Sequence, residues 1–244
     1  MNLVLDIGNS YAKAGIFKAG KLLDIKPRIP KSDAVELLQT RQYNAVLVSS
    51  VSDLPSALLE AVRQHKNYFL LDAALPLPFQ NLYQTPHTLG TDRIAAVAGM
   101  MSLFPGEQSL AIDAGTCITY DLLDKQAGYY GGSISPGLQM RCKAMHTFTA
   151  RLPLVEIQEK SEPHIPLRGY NTHTALQSGA LYGTVAEITQ MIRMYEDKFG
   201  HLRVVICGGD AALLSKHLQV QAAHQHVPEL ILIGLNRILE HNVS

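Results

Sequence analysis

A short strand that ends in aspartate and glycine occurs twice in this chain, and this repeat limits the folds open to it. The first copy, Asp6-Ile-Gly-Asn-Ser, follows the apolar run 3–5, and the second, Asp113-Ala-Gly-Thr-Cys, follows the apolar run 110–112. Each run is typical of a buried strand that places its aspartate at the carboxyl end. The glycine lets the backbone approach a ligand closely, and the polar residues after it can bind phosphate oxygens. The repeat predicts two related half-sites for one nucleotide.

A single copy of this segment would favour an ordinary turn, because Asp and Gly are common turn formers. Two copies, each flanked by strand patterns, favour phosphate binding instead. After the first copy, residues 12–17 predict a second strand and Gly20 a turn. Lys13 lies on this strand, where it could reach back to the phosphates.

The composition favours a globular protein that acts on a small molecule. The chain has 244 residues, of which 47% are hydrophobic and 17% charged, enough for one large or two small domains. Lys plus Arg and Asp plus Glu each number 21, so no net charge attracts nucleic acid or an anionic membrane. The first residues lack a signal-peptide pattern, and no apolar run approaches the length of a membrane span. We therefore expect a cytoplasmic protein with no nucleic acid or membrane partner.

Strands and helices alternate along the chain, which predicts an α/β fold. Strands are predicted at 45–49, 68–71, 109–113, 118–122 and 204–206, and helices at 54–64, 94–103, 172–199 and 230–240. The segment Phe104-Pro105-Gly106 is the best boundary between the two halves, because Pro and Gly interrupt regular structure. The predicted domains are 1–105 and 106–244.

Glycine pairs and small residues in the second half leave two interpretations open. Gly131-Gly132 and Gly208-Gly209 could each be a tight turn without a ligand, or backbone that lies close to a nucleotide. We expect the turn Gly208-Gly209-Asp210 to support the adenosine. Gly179 and Gly183 are four residues apart on the long helix, so another backbone could pack closely there, either from the other domain or from a second copy.

Further motifs occur in a definite order, and together with the repeat they identify a resemblance. They are Gly90-Thr91-Asp92-Arg93, Gly131-Gly132-Ser-Ile-Ser-Pro136-Gly137, Thr149-Ala-Arg151-Leu-Pro153 and Cys207-Gly208-Gly209. With them the chain resembles, nearly end to end, the type III pantothenate kinases of the actin-like ATPase and sugar kinase superfamily. The resemblance implies two related actin-like (ribonuclease H-like) domains with a nucleotide cleft between them. It also implies phosphorylation of pantothenate by ATP with Mg²⁺, the first step of coenzyme A biosynthesis, in a homodimer that needs K⁺ or NH₄⁺.

The resemblance also assigns roles to individual residues. The ATP phosphates would be bound by Asp6, Ile7, Gly8, Asn9, Ser10, Tyr11, Ala12 and Lys13, with Thr116 from the second domain. Pantothenate would be bound by Tyr83, Gly90, Thr91, Asp92, Arg93 and Thr172. Asp92 would be the catalytic base, Asp6 would lie near magnesium, and Asp113 would bind potassium.

The chemistry of Asp92 and Arg93 agrees with this assignment. Pantothenate has a carboxylate and a primary hydroxyl, and Arg93 offers a partner for the first while Asp92 offers a proton acceptor for the second. The alternative is that Thr91 or Asp92 caps the helix that begins here. The two roles are compatible, because a helix N-terminus also attracts anions.

Two other functions remain open from the sequence alone. The same superfamily includes enzymes that hydrolyse phosphoanhydrides, and it could include an accessory or regulatory protein that uses ATP binding as a switch. Arg93 and the full set of pantothenate-type motifs count against hydrolysis. Neutral charge and the lack of a DNA-binding motif count against direct contact with DNA.

Overall fold

The computed structural model describes residues 1–8, 11–50, 54–157, 165–218 and 224–243. The strands are β1 (Asn2–Ile7), β2 (Ala12–Lys18), β3 (Lys21–Ile29), β4 (Ala45–Ser50), β5 (Tyr68–Leu70), β6 (Gln80–Asn81), β7 (Ser109–Ala114), β8 (Cys117–Leu123), β9 (Gly128–Pro136), β10 (Arg203–Cys207) and β11 (His224–His226). The helices are α1 (Lys31–Thr40), α2 (Ser56–Arg63), α3 (Thr91–Leu103), α4 (Leu138–Thr147), α5 (Thr172–Phe199), α6 (Ala211–His217) and α7 (Leu230–Val243), with a 3₁₀ turn at Pro86–Thr88. The α/β prediction is confirmed, and α5 has the predicted bounds.

The chain forms two compact units, and each is made of more than one segment. Unit 1 comprises Met1–Gly106, Leu123–Gly131 and Glu229–Ser244, and unit 2 comprises Glu107–Leu122 and Gly132–Pro228. The first segment of unit 1 ends at Gly106, and the predicted domains 1–105 and 106–244 stay a prediction. Unit 1 also includes α7 from the end of the chain, whereas a single division between residues 105 and 106 would assign α7 to the second domain.

Unit 1 is built on a five-stranded sheet in the order β3-β2-β1-β4-β5. β1 pairs antiparallel with β2 and parallel with β4, so it is central. Leu3, Leu5 and Ile7 pack in the core cluster that also contains residues of α1 and α2. Because side chains alternate along a strand, Val4 and Asp6 point to the opposite face. β1 is thus a central strand covered on both faces, and Asp6 places a carboxylate next to its last residue.

The opposite face is covered by two helices whose backbones touch. A Cβ atom on Gly234 of α7 would lie 1.7 Å from the carbonyl oxygen of Ala95, and one on Gly99 of α3 would lie 2.6 Å from that of Leu230. Only glycine permits so close an approach. The apolar side chains of α3 from Ile94 to Met100 are buried as a result. This contact explains why the last helix belongs to the first unit.

Unit 2 contains strands in the order β11-β10-β7-β8-β9, with β10 parallel to both β7 and β11. Leu181, Ile188 and Ile192 of α5 pack in its core cluster with residues of β7, β8 and β10. α5 has 28 residues, yet no helix in the described part of the chain is long and apolar enough to cross a membrane.

The glycine pair Gly131-Gly132 lies inside β9, so its interpretation as a tight turn is wrong. A Cβ atom on Gly132 would lie 1.5 Å from the carbonyl oxygen of Tyr120 on the neighbouring strand. The pair is therefore explained by close packing of backbone and not by chain reversal. The first residues of β9, Gly128 and Tyr129, pair with β6 within unit 1.

We predict that Gly234→Ala destabilises unit 1, because the added methyl group would force α3 and α7 apart. The expected loss is about 1–3 kcal/mol of the free energy of unfolding, the usual cost of overpacking a core. Ser102→Ala on the exposed side of α3 is the control and should change it by less than about 0.5 kcal/mol. Urea unfolding of both variants gives the comparison, and equal stability would contradict the close helix contact.

Candidate active site

Three charged residues meet at the carboxyl end of β1. Asp6 is directly opposite Lys13 in the β1–β2 register, and directly opposite residues of antiparallel strands have neighbouring side chains. Burial raises the pKa of the Asp6 carboxyl above its ordinary value. The positive charge of Lys13 lowers this pKa, and the negative charge of Asp92 raises it, but burial is the largest effect and the pKa stays raised. The electrostatic interaction between Asp6 and Asp92 shows that these two carboxylates lie near each other, one at the end of β1 and one at the start of α3.

Asp92 lies in the first turn of α3 but does not cap it. Gly90 is the N-cap residue, and no side chain accepts a capping hydrogen bond there. Asp92 Oδ1 instead accepts a 2.8 Å hydrogen bond from the backbone N–H of Arg93. Neither Thr91 nor Asp92 is therefore the N-cap residue, but Asp92 does accept a hydrogen bond from one of the free N–H groups of the first turn, so a structural role at the helix start stays open beside the catalytic one.

Thr91 is held by a residue of the central sheet. The Ser49 hydroxyl donates a 3.0 Å hydrogen bond to Thr91 Oγ1. Ser49 is fully buried near the end of β4, directly beside Asp6 in the parallel register. This contact ties the beginning of α3 to the strand ends that carry Asp6. It also shows that Thr91 has a structural partner besides any substrate.

Two of the predicted substrate-binding residues are in contact. The Arg93 guanidinium lies over the Tyr83 ring, 5.6 Å from its centroid, and the Arg93 side chain is 5% exposed. Tyr83 in turn stacks on Tyr129, with centroids 6.1 Å apart. Gly131, with a φ of 118°, lies so close that a Cβ atom there would be 2.8 Å from the Tyr83 ring. A buried cation against an aromatic ring is a suitable partner for an organic carboxylate.

The loop after β1, which we predicted to bind phosphate, is closed by its own backbone. The Gly8 N–H donates a 3.0 Å hydrogen bond to the Tyr11 carbonyl oxygen. Ile7 and Ala12 are fully buried register partners, so they can contribute to a ligand only through their backbone. Tyr11 is exposed and its ring lies beneath the Arg28 guanidinium. Asn9 and Ser10, also predicted to bind phosphate, lie outside the described residues.

Unit 2 has its own cavity beside the second phosphate motif. Thr116 is exposed on the turn between β7 and β8, which the Gly115 N–H closes by a hydrogen bond to the Cys117 carbonyl oxygen. Here a cavity of about 520 Å³ is lined by Gly115, Thr116, Gln139, Met140, Lys143, Gly209 and Asp210. Its volume is within the range of small-molecule sites.

One wall of this cavity carries a partly buried acid, because burial raises the pKa of the Asp210 carboxyl. Gly209 and Asp210 line this cavity, and their support of the adenosine stays a prediction; the α4 residues were not predicted.

Asp113 lies at the end of β7 against the backbone of Gly208. With a φ of 97°, Gly208 is so close that a Cβ atom would lie 2.4 Å from Asp113 Oδ1 and 2.5 Å from the Ala114 carbonyl oxygen. Carboxylate and carbonyl oxygens are suitable ligands for a monovalent cation. No group of three or more His, Cys, Asp or Glu side chains in the described residues could form a metal cluster. Backbone oxygens would therefore have to supply part of any cation site.

Some functional candidates could not have been found by motif. Ser49 follows an apolar strand and carries no signature of its own. Gln139, Met140 and Lys143 share one side of α4 because residues three and four apart are neighbours on a helix. Thr172 is the first residue of α5, in unit 2, and is exposed. Its predicted role in the pantothenate pocket stays a prediction.

The fold and site together define the class of protein. The chain superposes over 98% of its length on an activator of 2-hydroxyisocaproyl-CoA dehydratase from Clostridium difficile solved with ADPNP, with a TM-score of 0.51 and 13% identity. It superposes over its whole length on a ROK family protein from Streptococcus pneumoniae solved with sucrose, with a TM-score of 0.52 and 13% identity. These chains are covered to 94% and 99%. The fold is that of the actin-like ATPases and sugar kinases.

Sequence comparison narrows the class to one family. Residues 2–194 match the type III pantothenate kinase family. A type III pantothenate kinase from Cytophaga hutchinsonii is 42% identical over 244 residues, which cover all of both chains. One from Christiangramia forsetii is also 42% identical, with 99% of both chains covered. The chain belongs to the type III pantothenate kinase family.

We predict that Asp6→Asn raises the melting temperature of the ligand-free protein while it abolishes activity. A carboxyl whose pKa is raised by folding costs stability once it ionises, so stability falls as the pH rises from the ordinary pKa through the raised one. The neutral amide removes this cost at pH 7. At a pH below the ordinary carboxyl pKa both side chains are neutral and the difference should vanish. Asp197→Asn, on the exposed surface of α5, is the control and should leave the melting temperature unchanged at either pH.

Proposed function

We propose that this chain transfers the γ-phosphoryl group of ATP to the primary hydroxyl of pantothenate, giving 4′-phosphopantothenate for coenzyme A biosynthesis. The observation that carries the proposal is the start of α3, where Asp92 shares an electrostatic site with Asp6 and Lys13 while the next residue, Arg93, is a buried cation against Tyr83. We identify pantothenate as the substrate because the chain belongs to the type III pantothenate kinase family. The predicted cytoplasmic location and the cleft between domains remain predictions.

Asp92 and Arg93 divide the recognition of pantothenate between its two ends. Arg93 would bind the carboxylate through charge-assisted hydrogen bonds, which are stronger than neutral ones. Asp92 would accept the hydroxyl proton as the oxygen forms its bond to the γ-phosphorus and the bond to the ADP oxygen breaks. Ser49 fixes Thr91, and through it the first turn of α3 that carries both groups. Positioning of this kind accounts for much of the rate enhancement in phosphoryl transfer.

The phosphates would lie against the loop that follows β1. Lys13 and the backbone of residues 7–12 would neutralise and bind them. Asp6 and Asp92 repel each other as carboxylates, and a divalent cation that accompanies ATP would relieve this repulsion. We propose that Asp6 holds this Mg²⁺ and leaves Asp92 for the hydroxyl proton. The bound ion would add positive charge for the phosphates.

The nucleoside would occupy the cavity of unit 2. Met140 offers a polarisable side chain for the base, and Lys143 and Asp210 offer a donor and an acceptor. Gly209 presents bare backbone to the same space, since no atom lies within 4 Å of the position of a Cβ atom there. Thr116 would contact the phosphate end. We propose that Asp113, with the Ala114 carbonyl oxygen, binds the monovalent cation beside this half-site.

A coupled assay of ADP release tests the proposal. ADP should form from Mg-ATP only when pantothenate is present, because the hydroxyl is the acceptor. β-Alanine, which has the carboxylate end of pantothenate but no hydroxyl, is the matched control and should give no ADP. Equal release without pantothenate would indicate a hydrolase, and nucleotide binding without any release would indicate an accessory protein.

We predict that Asp92→Asn lowers kcat with pantothenate by about 10²- to 10⁴-fold, the usual effect of removing general-base assistance. The amide keeps the size of the side chain, so binding of ATP should persist. Product formation and nucleotide titration on one sample measure both quantities. Asp33→Asn, in the exposed first turn of α1, is the control and should leave kcat unchanged. Near-normal turnover of the Asp92 variant would contradict the role of base.

Turnover should require K⁺ or NH₄⁺, and Asp113→Asn should weaken the binding of this cation. A neutral amide loses the charge that attracts the cation, so the cation concentration for half-maximal activity should rise roughly tenfold or more. Initial rates in KCl, NH₄Cl and NaCl at equal ionic strength provide the measurement. Equal rates of the parent chain in NaCl and KCl would refute the cation site.

We propose a homodimer formed through the exposed side of α5. A Cβ atom on Gly179 or Gly183 would meet nothing within 4 Å, so this small-residue face is open to a second chain. Light scattering at micromolar concentration should give twice the 26.7 kDa mass of one chain. Gly183→Lys should shift the mass towards the monomer, whereas Gln39→Lys on the exposed surface of α1 should not. A monomeric parent chain would refute the proposal.

A further inference from the structure

Four polar side chains in unit 2 form a cluster that none of the roles above uses. Glu187 of α5 is at its centre, and its Oε1 atom accepts a 2.9 Å hydrogen bond from the Tyr120 hydroxyl of β8 and a second from the Ser135 hydroxyl of β9. Its Oε2 atom forms an ion pair with the Arg141 guanidinium of α4. One carboxylate thus joins two strands and two helices.

The cluster is built to hold Glu187 in its charged form. Burial raises the pKa of the Glu187 carboxyl, but the hydrogen bonds from Ser135, Arg141 and Tyr120 outweigh burial, and the pKa lies below its ordinary value. Tyr120 is 1% exposed, and burial and the carboxylate raise the pKa of its hydroxyl. A buried hydroxyl without an acceptor is costly, so the carboxylate and its donors depend on one another.

Arg141 connects this cluster to the second phosphate motif. Its Nε atom donates a 2.9 Å hydrogen bond to the Pro136 carbonyl oxygen, just before α4 begins. The next residue, Gly137, donates a 3.1 Å backbone hydrogen bond to the Thr116 carbonyl oxygen. A Cβ atom on Gly137 would lie 2.2 Å from the Gly115 carbonyl oxygen, so the two segments are in tight contact. A shift of the Pro136–Gly137 segment must therefore move the Thr116 turn.

We propose that Glu187 is a positioning residue for the nucleotide: through Arg141 and the Pro136–Gly137 segment it fixes both the Thr116 turn and the beginning of α4. Both line the unit 2 cavity: the turn contributes Gly115 and Thr116, and α4 contributes Gln139, Met140 and Lys143. Glu187 does not line the cavity itself. The inference rests on the proposed function only in taking this cavity as the nucleotide site. A site whose supporting residues are loosened loses affinity even when every contact residue is present.

The test is Glu187→Gln, which keeps the size and an acceptor for Tyr120 and Ser135 but removes the charge that holds Arg141. The KM for ATP and the Kd for Mg-ADP should both rise, on the order of tenfold, since small displacements of binding groups have large effects. The KM for pantothenate should stay within about twofold, because its residues lie outside this cluster. Glu196→Gln, on the same helix but outside the cluster, is the matched control and should change neither value.

A second variant separates positioning from stability. Arg141→Lys keeps the positive charge but lacks the Nε donor to Pro136, so it should raise the Kd for Mg-ADP in a protein that still folds. The double variant should then show less than the product of the two single effects, because both residues act through one contact. The proposal is overturned if either folded variant binds Mg-ADP like the parent chain, or if only the melting temperature falls. The Mg-ADP titration needs no pantothenate, so its result does not depend on the activity of the chain.

Discussion

The partly buried carboxylate of Asp6 is the feature on which the candidate active site depends. The central strand β1 is covered on both faces, and its apolar side chains on either side of Asp6, at Leu5 and Ile7, are fully buried. At Asp6 burial and the neighbouring charge of Asp92 make ionisation costly, and Lys13 compensates only in part. Such a site gains most from a ligand that brings positive charge to the carboxylates and phosphate to the lysine. Stability is given up at the place where binding takes place.

The position of Asp92 depends on a contact far from the chemistry. Gly99 and Gly234 let α3 and α7 pack backbone against backbone, and this contact sets where α3 lies on the sheet. At the other end of α3, the hydrogen bond from Ser49 fixes Thr91 beside the strand ends. The last helix of the chain is thus part of what orients the first turn of α3, although the two are more than a hundred residues apart in sequence.

Much of the fold could be predicted because apolar runs are strong local signals. The strands at 45–49 and 109–113 and the helix at 172–199 are found within one residue of their predicted bounds. The predictions were weakest where a distant partner decides the structure. Gly131-Gly132 reads as a turn in isolation, but the neighbouring Tyr120 carbonyl oxygen leaves room only for glycine within a continuous strand. In the same way, nothing local to α7 shows that it packs on α3.

Some residues of the candidate site could be predicted from the sequence, and others could not. Asp6, Lys13 and Asp92 could be predicted because their motifs carry charge at strand ends and at a helix start, and the structure brings them together. Lys143 and Glu187 carry no motif, since their importance comes from the cavity and the polar cluster to which they contribute. Three-dimensional neighbours of this kind are not encoded in spacing along the chain.

The central claim is that the site transfers phosphate to a hydroxyl and excludes water as the acceptor. Phosphorus NMR of a reaction with Mg-ATP and pantothenate measures this most directly, because a phosphomonoester and inorganic phosphate give separate signals. The account predicts a phosphomonoester signal that grows in step with ADP, split by the two protons of the adjacent methylene group. Growth of inorganic phosphate in its place would contradict the account and would identify water as the acceptor.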